Sequence, residues 1–240
     1  MNASTRKVRE AEQVVIVIQA RMSSSRFPGK MMTKLSGMPL VEYVYRRCER
    51  SSLGRVVVAT SDDISDDALY DYCKNNDIFV MRGSLHNVLE RYIQVADSLN
   101  AEYIVRVCAD TPLVDISLMR VLLKVLIEEK LDFASLDGQT CASGFLSEVI
   151  ATQTLKKVVG LTHVAEDLEH VTRFIIKNEK SFSVKRIKAD LNPEFIRDIR
   201  LTIDYPEDIK KVSAIIDALS DKFLFTSEEV LEVVRRKGLQ

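Results

Sequence analysis

Apolar and polar positions switch between two periods along the first half of the chain. Val14–Gln19 (VVIVIQ) is a run of apolar, mostly β-branched residues, the composition of a strand buried on both faces. Over Pro39–Arg50 the period lengthens to that of a helix. Leu40, Val41, Val44, Tyr45 and Cys48 share one face, and Pro39 suits the first turn. Arg55–Thr60 (RVVVAT) predicts a second strand, and Ser65 a cap for a helix running to Asn76. Ile78–Met81 predicts a third strand, Leu85–Leu99 a helix, Tyr103–Ala109 a fourth strand, Ile116–Lys130 a helix and Leu131–Ser135 another strand. Strands alternating with helices predict an α/β fold, with a mainly parallel sheet sandwiched in three layers.

Beyond Ser135 the rhythm changes. Leu136–Gly144 is rich in turn formers, and helical periodicity follows over Ser147–Val159 and His163–Asn178. Phe182–Ala189 and Arg200–Ile203 predict two more strands, Pro206–Leu219 and Ser227–Lys237 two final helices. No repeat, low-complexity tract or long linker divides the chain. The expected organisation is a flexible polar arm over residues 1–12 and a single domain over 13–240, with 137–190 as an inserted subregion.

Charge and cysteine usage narrow the function classes. Lys and Arg number 34 against 35 Asp and Glu, a net charge of −1, which speaks against binding nucleic acid by bulk electrostatics. The four cysteines, Cys48, Cys73, Cys108 and Cys141, are widely spaced with no C-x-x-C, as in reduced thiols of a cytoplasmic protein. No apolar run approaches the ~20 residues that span a bilayer, so no membrane partner is expected.

Candidate chemistry gathers in three segments. Directly after the first predicted strand comes Ala20–Lys30, a loop with three cations (Arg21, Arg26, Lys30), three serines and a Pro-Gly turn. At the carboxyl end of a strand in an α/β sheet, such a loop suits a phosphate-bearing ligand; a merely solvated basic loop is the plain alternative. It carries a single glycine, unlike the glycine-rich cradles of Walker or dinucleotide-binding loops. In Arg106–Leu113 a predicted strand ends in Asp110, and Pro112 keeps Thr111 out of helix. In Leu201–Asp208 a second predicted strand ends in Asp204. Two aspartates beside a polycationic loop suit Mg2+ bridging nucleotide phosphates, although each acid alone also fits a turn former or helix cap.

The motif A-R-x-x-S-x-R-x-P-G-K at Ala20–Lys30 resembles the signature loop of the CMP-sugar synthetase group of cytidylyltransferases. The resemblance is closer to the spore coat polysaccharide biosynthesis protein F branch. It is carried also by Arg82-Gly83-Ser84, Val88–Tyr92, Ala109–Asp115, Glu169-His170-Val171-Thr172 and Leu201–Asp208. It implies a Rossmann-like nucleotidyltransferase fold, usually dimeric, binding CTP with magnesium. An acid sugar or related oxygen nucleophile would attack the α-phosphate and release pyrophosphate. Carried onto this chain, Ala20, Arg21, Ser24, Arg26 and Lys30 hold the triphosphate, with Lys30, Arg21 and Arg26 catalytic. Asp110 and Asp204 hold the metal, Asp110 also touching the nucleotide, and Arg82 and Ser84 contact base or ribose. Glu169 and His170 face the acceptor, within a subregion 137–190 that also serves dimerisation; a polar interface position is the other reading of His170.

Two departures stand out. Tyr205 replaces the threonine usual in Asp-Thr-Pro-Glu-Asp, and Leu146 replaces the aspartate usual in Gly-x-Asp-x-Glu, where Gly144 and Glu148 remain. The second implies a different or less polar acceptor. Two other readings compete. A glycosyltransferase with a related sheet would want a D-x-D metal motif, which Asp62-Asp63 and Asp66-Asp67 do not supply. A non-catalytic nucleotide-binding or scaffold protein would tolerate loss of Lys30 or either aspartate, and all three are present.

Overall fold

The structure, a computed structural model, describes residues 13–189, 191 and 199–239; the arm expected over residues 1–12 lies outside them. β1 (Val14–Gln19) runs through the centre, with every residue from Val14 to Ile18 buried. A tight hairpin of β2 (Lys34–Leu35) and β3 (Met38–Pro39) precedes α1 (Leu40–Arg50). Ser36 (φ 49°) and Gly37 (φ 97°) form its turn, and positive φ at both central positions is what so short a hairpin requires. β4 (Arg55–Ser61), α2 (Asp67–Asn75), β5 (Val80–Gly83), α3 (Val88–Ser98), β6 (Tyr103–Cys108), α4 (Ile116–Glu129) and β7 (Phe133–Leu136) continue the alternation. Then come β8 (Glu148–Ala151), α5 (Thr152–Val159), α6 (Ala165–Glu169), α7 (Arg173–Lys177), β9 (Val184–Ile187), α8 (Pro206–Ile216) and α9 (Ser227–Lys237).

The main sheet has the order β5-β4-β1-β6-β8-β7-β9. β4–β5, β1–β4, β1–β6 and β7–β9 pair in parallel, while β8 is antiparallel to both neighbours. Only β8 therefore runs against the rest, so the mainly parallel α/β architecture holds. Alternation along β1 sorts its side chains to opposite faces: Val14, Ile16 and Ile18 join the apolar cluster under α1, α4, α8 and α9, whereas Val15 and Val17 join that under α3 and α5. Because β1, β4 and β6 are parallel neighbours, their carboxyl ends open on one rim. Among the described residues no helix is long and apolar enough to cross a membrane.

Several predicted elements shift. Helix α1 begins at Leu40, with Pro39 ending the hairpin instead of entering the first turn. Asp63, not Ser65, caps the turn before α2: its carboxylate accepts from the Ser65 amide (2.9 Å). The stretch read as one helix over 147–159 is a strand followed by a helix. Val149 and Ile150 are fully buried between β6 and β7, and inclusion in the sheet outweighs a weak local periodicity. The helix read over 163–178 breaks at His170–Thr172 into α6 and α7. No strand forms at Arg200–Ile203. Leu201 and Ile203 are buried as alternation implied, yet the segment packs against Gly144 and reaches Asp110, where Ile203 N donates to Asp110 O (2.9 Å).

A Cβ on Gly144 would lie 2.4 Å from Leu201 Cβ and 2.7 Å from its carbonyl oxygen. Gly144→Ala should therefore push the 201–204 segment outward and destabilise by about 1–3 kcal/mol. Chemical denaturation measures this, and an unchanged midpoint would refute the contact.

Candidate active site

The loop after β1 folds back on itself through Gly29, whose φ of 74° a side chain would strain. The turn delivers Lys30 into the protein. Its ammonium is buried and donates to Asp110 Oδ2 (2.7 Å) and to the carbonyl of Ile203 (3.0 Å). A buried ammonium demands such partners, so three distant segments are drawn together around it. Asp110 lies two residues past β6, on a turn closed by Thr111 N and Oγ1, both donating to Cys108 O. Asp204 stands beside it because Ile203 is bonded to Asp110. Thr202 Oγ1 donates to Asp204 Oδ2 (2.8 Å), and Arg26 pairs with Oδ1. Asp208, in the first turn of α8, accepts from the amides of Asp204 (2.9 Å) and Tyr205 (2.8 Å) and so fixes the chain there. The ring of Tyr205 lies against Arg26 (5.6 Å) and Arg200 (5.0 Å), and thus shelves the loop arginine.

Arg21 reaches Glu169 on α6 (3.3 Å), both side chains being nearly half exposed. The pair is weak energetically, but it places an expected acceptor residue at the loop. His170 is exposed and meets the site only as the next residue along. The cleft enclosed by these groups measures about 260 Å³, and Arg21, Ser24, Arg26, Lys30 and Asp110 line it. Ala20 is buried and extends the sheet, its amide bonded to Ala59 O (3.2 Å). Arg82 and Ser84 are not brought to the cleft lining. Arg82 donates to Ser61 O and Asp63 O (both 2.8 Å) and pairs with Asp67 (2.7 Å), and Ser84 Oγ accepts from the Asn87 amide (3.0 Å). Both stabilise turns at the rim.

Sequence reasoning missed the floor. Gln19 and Cys108, paired across β1 and β6, also line the cleft. Beneath them Arg106 donates to Gln19 Oε1 (3.3 Å) and Glu148 Oε2 (2.6 Å), and Thr172 Oγ1 donates to Glu148 (3.2 Å). Arg106 was detectable as a cation in an otherwise apolar strand and Glu148 as part of a motif, but that the two pair was not. Among the described residues no three His, Cys, Asp or Glu side chains gather into a metal-holding group.

The cytidylyltransferase family model matches residues 15–234. The chain belongs to the cytidylyltransferase family. It is accordingly a nucleotidyltransferase. It is 28% identical over 231 residues to the spore coat polysaccharide biosynthesis protein SpsF of Bacillus subtilis (strain 168), covering 93% of this chain and 94% of that protein. A cytidylyltransferase structure from Leptospira borgpetersenii superposes with TM-score 0.87 at 26% identity, over 94% of this chain and 95% of that one. CMP:2-keto-3-deoxy-manno-octonic acid synthetase, solved with CTP, shares the fold at TM-score 0.61 and 18% identity, over 85% of this chain and 98% of that one.

Burial pushes the Cys108 thiol of this cytidylyltransferase up. Less thiolate means slower alkylation, so iodoacetamide at neutral pH should label Cys108 more slowly than a free cysteine, despite its place in the cleft. Mass spectrometry of the labelled peptide reads this; rapid labelling would show a solvated thiolate instead.

Proposed function

We propose that this cytidylyltransferase transfers CMP from CTP to a sugar acid or related acceptor, with Mg2+, in making surface polysaccharide. The observation that carries the reading is the buried Lys30 ammonium between Asp110 and the Ile203 carbonyl, with Arg26 on Asp204, at the carboxyl rim of a parallel sheet. An acceptor oxygen attacks the α-phosphorus, the bond to the bridging oxygen breaks, and pyrophosphate leaves with the electron pair. Arg21, Ser24 and Arg26 bind the triphosphate. Lys30, held rigid by two partners, faces the charge that develops at the reacting phosphate, where a fixed donor is worth about 10²–10³ in rate.

The donor set fits the metal. Asp110 and Asp204 offer only carboxylate oxygens from two adjacent segments, and magnesium takes few such ligands, filling its shell with phosphate and water. When bound, magnesium would neutralise the phosphates and align them for displacement. Glu169, joined to Arg21, borders the acceptor, with His170 beside it. Leu146 is partly buried against the apolar core, so that position supplies the acceptor no polar contact. Arg82 and Ser84 support the nucleotide through the turns they hold. The reading includes a cytoplasmic homodimer formed through 137–190, where Val159, Leu161, Val164 and Ile176 are exposed.

Thermal shifts with the four ribonucleoside triphosphates, with and without Mg2+, test the reading. CTP at 100 times its dissociation constant should add about 2.7 kcal/mol, only with the metal present. An equal response to all four would sink the cytidine assignment, and silence to all would favour a non-catalytic protein. With an acceptor found by pyrophosphate release, Lys30→Ala should lower kcat by about 10²–10³. It should also lower Tm, since Asp110 loses its buried partner. Asp204→Asn should raise the magnesium concentration for half-maximal rate; an unmoved magnesium titration would remove Asp204 from the metal site.

A further inference from the structure

Asp66 is a fully buried carboxylate that forms no ion pair among the described residues. Four donors surround it. Oδ1 accepts from the amide of Met22 (2.6 Å), in the signature loop. Oδ2 accepts from Thr60 Oγ1 and the Ser61 amide (both 3.0 Å), and from Ser61 Oγ. Burying an acid costs stability unless its lone pairs are filled, and here a loop amide fills one of them.

Met22 is the residue on which the loop closes. Its carbonyl accepts from the amides of Ser24 (2.9 Å) and Gly29 (3.1 Å), so the chain from 22 to 29 returns to its own start. Arg26 lies inside that ring and Lys30 directly follows it. Met22 O thus closes the ring on itself, while Met22 N, through Asp66, ties the ring's base to Thr60 and Ser61 at the end of β4.

We propose that Asp66 is a positioning residue: it anchors the base of the phosphate-binding loop to β4 and so pre-sets Arg26 and Lys30 for a triphosphate. The proposal rests on the nucleotide-binding reading above. The chemistry explains why a carboxylate is needed. Two backbone amides, of Met22 and Ser61, approach different oxygens, and an asparagine has one acceptor end and one donor end. Asp66→Asn therefore sets a donor against one of these amides whichever way it turns. Thr60→Val is the matched control, because it deletes a bond to Oδ2 and leaves the Met22 contact in place.

Calorimetric titration with inorganic tripolyphosphate and with CTP, each with Mg2+, should show binding to Asp66→Asn weakened about tenfold, ~1.4 kcal/mol. Thr60→Val should bind like the wild type while losing comparable Tm. Equal affinity for Asp66→Asn and wild type, or equal loss in Thr60→Val, would overturn the proposal. Should Asp66→Asn fail to fold, amide hydrogen exchange on the ligand-free wild type decides. The Met22 amide should be protected like those of β1, while the Ser25 and Arg26 amides exchange fast. A Met22 amide exchanging with its loop neighbours would refute the anchor. Wild type that binds neither ligand would sink the nucleotide reading, and Met22 exchange would still judge the anchor.

Discussion

The Lys30 ammonium is buried, whereas Arg21 and Arg26 of the same loop are exposed, and the architecture of the rim follows from satisfying it. An ammonium removed from water needs an anion and further acceptors close by. Asp110 supplies the anion and Ile203 a carbonyl, at 2.7 and 3.0 Å. Meeting both holds together the loop after β1, the turn after β6 and the segment before α8. The Ile203–Asp110 backbone bond and the Asp208 carboxylate then fix Asp204 in place. The two acids of the rim are thus neighbours through a cation that is itself part of the site.

The rest of the site is built against a rigid sheet. β1 has neighbours on both sides and buried residues on both faces, so the loop leaving it starts from one of the least mobile parts of the molecule. Arg47 extends this rigidity behind the rim. Buried on α1, it donates to Val114 O (2.9 Å from Nε) and Phe225 O (3.1 Å), and its guanidinium lies over the Phe225 ring. The price is desolvation, which pushes its pKa down to about 10. The turn following Asp110 is thereby tied to the strap that leads into α9.

On the other face, β8 reverses the sheet and delivers Glu148 opposite Arg106. That ion pair, with Thr172, lies behind Gln19, the polar side chain that β1 contributes to the floor of the cleft. Leu146 has a partly buried apolar setting two residues earlier. The cleft therefore has a polar base and a strongly cationic wall. Glu169 stands near its mouth, through Arg21.

Much of this was legible in the sequence. Period-2 and period-3.6 patterns located the strands and helices of the first half, because local burial on one or two faces leaves its mark on every second or every fourth residue. The loop motif and the two aspartates were visible as residue types in order. Contacts whose partners lie far apart along the chain were not. Lys30 with Asp110 spans 80 residues, Arg26 with Asp204 spans 178, and Met22 with Asp66 spans 44. Asp66 read as one of several acids in a polar turn, and only its burial against the loop amide distinguishes it. Arg82 and Ser84 were visible in a motif, but the partners Arg82 finds at Ser61, Asp63 and Asp67, and the Asn87 amide at Ser84, were not. The strand at Glu148–Ala151 shows the same limit: its residues favour helix or strand almost equally, and pairing with β6 and β7 decides between them. By itself the sequence determined the α/β alternation, the cationic loop and the family, since each is written in neighbouring residues. Which acids meet which cations was decided only by tertiary structure, because burying one ammonium selects partners by position in space.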